Sequence, residues 1–138
     1  MPVPPETVWA VLARPDSYGY WVVGSKYIRG ADPGFPAVGT KLHHAVGFGP
    51  FTLQDHTEVL AAEPPRYLKL RAKGRPFGTA SVELEMQPRA GGTEVTIVED
   101  PDTYTTPLKF LPPVHWLTRV RNAESLMRLE ELALREPA

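Results

Sequence analysis

Three features of the chain predict an α+β domain in which a curved antiparallel sheet lies against one long helix. Apolar and polar residues alternate from about residue 26 to residue 99, Gly- and Pro-rich turns interrupt that stretch, and beyond residue 115 the apolar spacing changes to three and four. Ahead of the alternation, Pro4-Pro5-Glu6-Thr7 leads into Val8-Trp9-Ala10-Val11-Leu12. That is a helix start, with proline in the first turn and an acid at the positive end of the dipole. Pro15 ends this helix. Asp16-Ser17 caps a second short one through Tyr18–Val23, which Gly24 terminates.

The strands follow in order. Lys26–Ala31 is the first, closed by the turn residues Asp32–Pro36. Lys41–Val46 and Phe51–Leu60 flank a hairpin loop, Gly47-Phe48-Gly49-Pro50. Arg66–Lys73 and Thr79–Gln87 form the next pair across Gly74–Gly78, and Thr93–Glu99 completes the run after Ala90-Gly91-Gly92. A register with Leu70 opposite Leu84 also sets Leu68 opposite Met86 and Ala72 opposite Val82, an apolar inner face. The same register puts Lys69 across from Glu85 and Arg71 across from Glu83 on the outer face. Continuing it, Leu84 meets Ile97 and Met86 meets Val95. In the tail, Trp116, Val120, Ala123, Met127 and Leu134 share one helical stripe, and Leu126, Leu129, Leu132 and Ala133 widen it. Glu124/Arg128 and Glu131/Arg135 support the other side at i,i+4, the acid first. Such a helix needs a large apolar surface, and the concave face of the sheet is the obvious one.

Composition narrows the classes of function. The 138 residues, read as one domain over 1–138, are 42% hydrophobic and 22% charged, ordinary globular values. A net charge of −1 supplies no general attraction to nucleic acid or to an anionic membrane. With no cysteine there is no disulfide, no thiolate chemistry and no Cys-ligated zinc. No apolar run reaches the roughly 18 residues of a membrane span, and no secretory signal pattern opens the chain, so a cytoplasmic protein without an integral membrane segment is expected. The 16 prolines are spread along the chain, which points to many defined turns rather than a disordered tract.

The chain resembles the START/Bet v 1-like (SRPBCC) superfamily, and within it the bacterial polyketide cyclase/dehydrase and lipid-transport branch. The resemblance rests on Pro5-Glu6-Thr7-Val8-Trp9-Ala10-Val11-Leu12 and Pro15-Asp16-Ser17-Tyr18, and on Val38-Gly39-Thr40 where a strand begins. Glu63-Pro64-Pro65-Arg66-Tyr67-Leu68, Gly92-Thr93-Glu94-Val95-Thr96 and Arg121-Asn122-Ala123-Glu124-Ser125-Leu126 continue it, so that it covers nearly the whole chain. It implies the helix-grip fold, with a cavity for an apolar ligand between sheet and helix. These are folding signatures, and the superfamily's ligands and activities diverge widely. One departure stands out. Superfamily members begin with a strand before the first helix, and only Met1-Pro2-Val3 stands there in this chain. Without that strand, Thr93–Glu99 is an open edge. Either the true start lies upstream, or another chain covers the edge, and a homodimer through the last strand is the expectation.

The residues that would line such a cavity are Leu53, Val59, Leu68, Leu70, Val82, Leu84, Met86, Val95 and Ile97 from the strands, and Val120, Ala123 and Met127 from the helix. A filled core would use the same residues, and sequence does not separate the two. Polar residues on the inward parity say more, because burying them without partners is unfavourable. With Val46 facing Phe51, His44 comes opposite Leu53 and diagonal to Asp55, and Thr57 and Glu99 point inward as well. His44 and Asp55 would then serve as general base and its partner, or as contacts for a ligand's hydroxyl or carbonyl. The alternative is a satisfied buried pair, or a register one residue off that exposes them all. His43 and His44 face opposite sides, and His43 with His56 lacks a third ligand, so neither a metal nor a cofactor is expected. The apolar segment Tyr104–His115 either gates the cavity mouth, with Phe110, Leu111 and Trp116 as anchors, or packs on the sheet edge or a second chain. Three classes of function remain. The first is binding or transport of a small hydrophobic molecule such as a lipid, an isoprenoid or a polyketide-like aromatic. The second is a cyclase/dehydratase-type enzyme whose His44 removes a proton beside a carbonyl. The third is an interaction module that recruits a partner strand at the open edge.

Overall fold

The computed structural model describes residues 1–22, 27–48, 51–73, 79–103 and 112–136. Helix α1 (Pro5–Leu12) starts with proline in its first turn, and after a 3₁₀ turn (Pro15–Ser17) comes the single-turn α2 (Tyr18–Trp21). Six strands follow: β1 (Tyr27–Ala31), β2 (Lys41–Phe48), β3 (Phe51–Glu63), β4 (Tyr67–Lys73), β5 (Thr79–Arg89) and β6 (Gly92–Thr103). The chain then forms α3 (Pro112–Arg135). The strands pair in sequence order, every pair antiparallel, as one six-stranded meander. Bulges between Ile28 and Gly30 and between Val59 and Ala61 bend it, giving the curved sheet of the helix-grip fold.

The faces come out as the alternation predicts, while two of the registers differ from it by two residues. β2 and β3 stay paired as far as Phe48↔Phe51, leaving only residues 49–50 between them, so Val46 meets Leu53 and His44 meets Asp55. Between β4 and β5, Leu68 meets Leu84 and Leu70 meets Val82. Lys69 therefore opposes Glu83, with Nζ 3.6 Å from Oε1, and not Glu85; Arg71 opposes Ser81, not Glu83. The Tyr67 hydroxyl also donates to Glu83, at 2.9 Å. A slip of two leaves every side chain on its own face, so the alternation cannot detect it. Leu84↔Ile97 and Met86↔Val95 occur as expected, and β6 continues to Thr103, past the expected stop at Glu99.

One core holds the helices on the sheet. Val8, Val11 and Leu12 of α1, Tyr18 and Trp21, Leu68, Leu84 and Met86 of the sheet, and Leu129 and Ala133 of α3 form a single buried cluster. The Tyr18 hydroxyl donates to the Leu12 carbonyl and the Ser17 hydroxyl to that of Val11, both at 2.8 Å, so the end of α1 is satisfied inside the core.

The rotation of α3 corrects the expected lining. Ser125, Leu129 and Ala133 are buried, whereas Val120 is 50% and Met127 63% exposed, and Ala123 and Leu134 are exposed with them. Val120, Ala123 and Met127 therefore do not line the space under the helix. Apolar residues occur on two faces of α3, and contacts outside the helix select between them. The Tyr20 hydroxyl donates to Glu131, Arg128 lies over the Tyr20 ring at 5.8 Å and donates to the Tyr20 carbonyl at 3.2 Å, and Arg14 pairs with Glu136. The Glu124–Arg128 pair forms as expected, at 3.2 Å. Residues 112–115, expected within a loop, are the first turn of α3.

The expected open edge needs a correction too. Met1 pairs with Thr93 through two hydrogen bonds, amino group to the Thr93 carbonyl at 2.9 Å and Thr93 N–H to the Met1 carbonyl at 2.8 Å. The Thr93 hydroxyl donates to Val3 at 2.6 Å. The three-residue stub thus covers the start of β6, and from Glu94 onward β6 is the sheet edge among the described residues.

Two outcomes follow from this packing. A Cβ on Gly92 would lie 2.0 Å from the Met1 carbonyl oxygen. Gly92→Ala should therefore expel the stub, lower stability by about 1–2 kcal/mol through the lost hydrogen bonds and abolish slow amide exchange at Thr93. Leu129→Ala should lower stability by about 2–5 kcal/mol, while Met127→Ser stays within about 0.5 kcal/mol. Urea unfolding distinguishes them, and equal losses would contradict this rotation of α3.

Candidate functional site

The inward rows of the sheet pass from apolar to polar along its length. At the α1 end, Leu68 faces Leu84, which faces Ile97, with Met86 beside Val95. Leu68, Leu84 and Met86 are fully buried under α1 and the C-terminal half of α3. The next rows run Val59–Leu70–Val82–Glu99 and Leu42–Thr57–Ala72, and then His44 faces Asp55. Val82 in these rows, and Ile97 at the β6 end of the Leu68–Leu84 row, point inward yet are only half-buried.

At the polar end, His44 is 8% and Asp55 and Thr57 each 7% exposed. Alternation sends all three inward, because His44 lies two residues from Leu42, and Asp55 and Thr57 lie on the parity of Val59. The His44 ring hydrogen-bonds to Thr57 rather than to the acid across from it, with Nε2 3.0 Å from Oγ1. Its Nδ1 is buried and has no partner among the described residues. Asp55 accepts the His56 backbone N–H at 3.0 Å. Burial holds the His44 pKa below its ordinary 6.5. The attraction of Asp55 acts against that shift, and the charges of His56, Arg29 and His43 add to it. His44 is thus neutral at physiological pH, with a hydrogen on one ring nitrogen and a lone pair on the other.

Glu99 also lies on the inward parity, across from Val82, and Arg121 of α3 donates to its carboxylate, bridging helix and sheet edge. Arg121 and Ser125 escape the sequence reading. They stand with Leu129 and Ala133 in one i,i+4 row, the row that α3 turns inward, so the helix too grows polar toward its N-terminal half. The signal is present in the sequence, but it is invisible once the other stripe is taken as the buried one. Of the expected gate, Phe110 and Leu111 lie outside the described residues, as do the side chains of Trp116 and Leu53. On the outer side, His43 Nε2 lies 3.0 Å from Asp32, with His56 opposite it in register, and no group of three metal-ligating side chains forms among the described residues. A groove of about 750 Å³ runs between Glu63, Arg66, Tyr67 and Arg89. It borders the face away from His44, and among the described residues no buried unpartnered side-chain atom lines it.

Known proteins share this fold. The family described as polyketide cyclase / dehydrase and lipid transport matches residues 1–133. A Rhodobacter sphaeroides protein is 25% identical over 99% of this chain and 89% of its own, with a TM-score of 0.73. Ara h 8.0201 is 15% identical, covering 98% and 93% of the two chains at a TM-score of 0.74. An AHSA1-like protein from Aeromonas hydrophila is 20% identical, covering 99% and 90% at 0.66. The latter two likenesses show the fold alone. No curated protein matches the chain.

The depressed pKa of His44 sets a pH dependence. The unfolded chain binds a proton near pH 6.5 that the folded chain resists, so stability is lost as pH falls below about 6.5 toward the folded value, and is unaffected above it. The urea midpoint of His44→Gln should fall less steeply than that of the wild type in this acidic window. Parallel curves would mean that His44 does not carry the effect.

Proposed function

The chain belongs to the polyketide cyclase/dehydrase and lipid-transport family, and we propose that it binds a small hydrophobic molecule, a lipid, an isoprenoid or a polyketide-like aromatic, between the concave face of the sheet and α3. One observation carries this reading. Val82, on the same strand as the fully buried Leu84, and Ile97, opposite Leu84 on β6, point inward and pack against the core, yet remain half-buried. A close-packed interior leaves no such apolar surface accessible, and an apolar occupant would remove it from water at about 25 cal/mol per Å². The polar contacts of the ligand would be His44, Asp55 and Thr57, with Glu99 and its partner Arg121 at the β6 side. A cytoplasmic carrier fits a chain without cysteine whose described helices are too short or too polar to cross a membrane.

A second reading, cyclase/dehydratase chemistry, is favoured by one feature, a neutral imidazole beside a buried acid. In that reading His44 takes a proton from an acidic carbon next to a carbonyl, and Asp55 stabilises the imidazolium.

Native mass spectrometry of freshly purified protein, with extraction of anything bound and titration with the neutral dye Nile red, tests the binding. A reproducible adduct or dye uptake is expected. A clean apo mass with no dye binding would mean a filled core. The same spectrum distinguishes a monomer from a homodimer paired along β6 beyond Glu94. Once a ligand is identified, His44→Ala separates the two readings, since chemistry predicts lost turnover at nearly unchanged affinity and binding predicts a modest loss of affinity alone.

A further inference from the structure

We infer that the ligand carries one uncharged oxygen, a hydroxyl or a carbonyl, that hydrogen-bonds to Nδ1 of His44, and that a molecule with a carboxylate in that place is rejected. This inference rests on the binding reading above and adds the chemistry of the ligand's polar end.

The ring has two nitrogens, and one of them is committed. Nε2 lies 3.0 Å from the Thr57 hydroxyl, while Nδ1 is buried with no partner among the described residues, in a residue 8% exposed. A buried polar atom left unpaired loses its water without compensation, so such atoms are rare in folded proteins and call for a partner from outside the chain, a ligand or an ordered water. The tautomer sets what Nδ1 wants. If the Thr57 hydroxyl donates to Nε2, Nδ1 carries the hydrogen and needs an acceptor. If Nε2 donates to Thr57, Nδ1 needs a donor. A hydroxyl satisfies both states and a carbonyl the first, whereas a hydrocarbon satisfies neither.

Charge selects in the same direction. Asp55 faces His44 directly in register and is 7% exposed. A carboxylate brought to Nδ1 would be buried beside a second acid, which is unfavourable in a low-dielectric interior. The cation on the inward row of α3, Arg121, is already held by Glu99. Away from the polar corner the face offers apolar contact from Leu70, Val82 and Ile97, and the charges of Glu99 and Arg121 there already satisfy each other, so a single polar oxygen on an apolar body is what the surroundings accommodate.

Four probes on one ring system test this with the wild-type protein at neutral pH: naphthol, acetylnaphthalene, ethylnaphthalene and naphthoate, each displacing Nile red. Naphthol and acetylnaphthalene should bind roughly tenfold more tightly than ethylnaphthalene, and naphthoate at least about tenfold more weakly than naphthol. The ¹⁵N resonance of His44 Nδ1 should move with naphthol and stay in place with ethylnaphthalene. In His44→Phe the advantage of naphthol should vanish while ethylnaphthalene still binds; should that variant fail to fold, the wild-type series and the ring resonance decide alone. Dye uptake with equal affinity for all four probes, or a preference for naphthoate, overturns the head-group inference and leaves the cavity standing. A protein that takes up neither Nile red nor any of the four overturns both.

Discussion

The burial of one face of a six-stranded sheet by a single helix is the constraint on which the rest of this molecule depends. A helix about 24 residues long covers the sheet along a narrow row, here Arg121, Ser125, Leu129 and Ala133. Where α1 joins that row, Leu68, Leu84 and Met86 are closed off completely. Away from α1 the same face holds His44, Asp55, Thr57 and Glu99, and its apolar member Val82 stays partly accessible, as does Ile97 on the edge strand β6. The division into a packed half and a polar half is therefore a matter of where the short helices end. The first is closed by apolar packing, and the buried polar groups lie in the second.

Contacts far apart in the chain hold the helix in that rotation. Tyr20, from a helix of one turn, receives Arg128 on its ring and carbonyl and donates to Glu131, and Arg14 reaches Glu136. Each is exposed and weak alone, but together they act on the side of α3 next to its buried row. They leave Val120, Ala123, Met127 and Leu134 turned outward, an apolar strip that the described residues do not cover. The opposite end of the architecture depends on the Met1–Val3 stub, whose bonds to Thr93 occupy the start of an edge that would otherwise be open along its whole length.

What the sequence by itself determines is parity. Side chains alternate across a strand with a period of exactly two residues per repeat, so the identity of the inward set, His44, Asp55, Thr57 and Glu99 included, follows from the alternation. The strand order of a meander follows equally from short turns, and the motifs from Pro5 to Leu126 carry the superfamily. Tertiary structure decides what parity leaves free. Registers that differ by two residues present the same faces, so only the pairing of β2 with β3 as far as Phe48↔Phe51 sets His44 against Asp55, and only the β4–β5 pairing sets Lys69 against Glu83. The choice between two apolar stripes on α3 is likewise made by Tyr20, α1 and the sheet, because a helix apolar on more than one side has no unique buried face. Whether His44 pairs with Asp55 or with Thr57, and which of its nitrogens stays unpaired, depends on three-dimensional distances of a few ångströms, and these no spacing along the chain encodes.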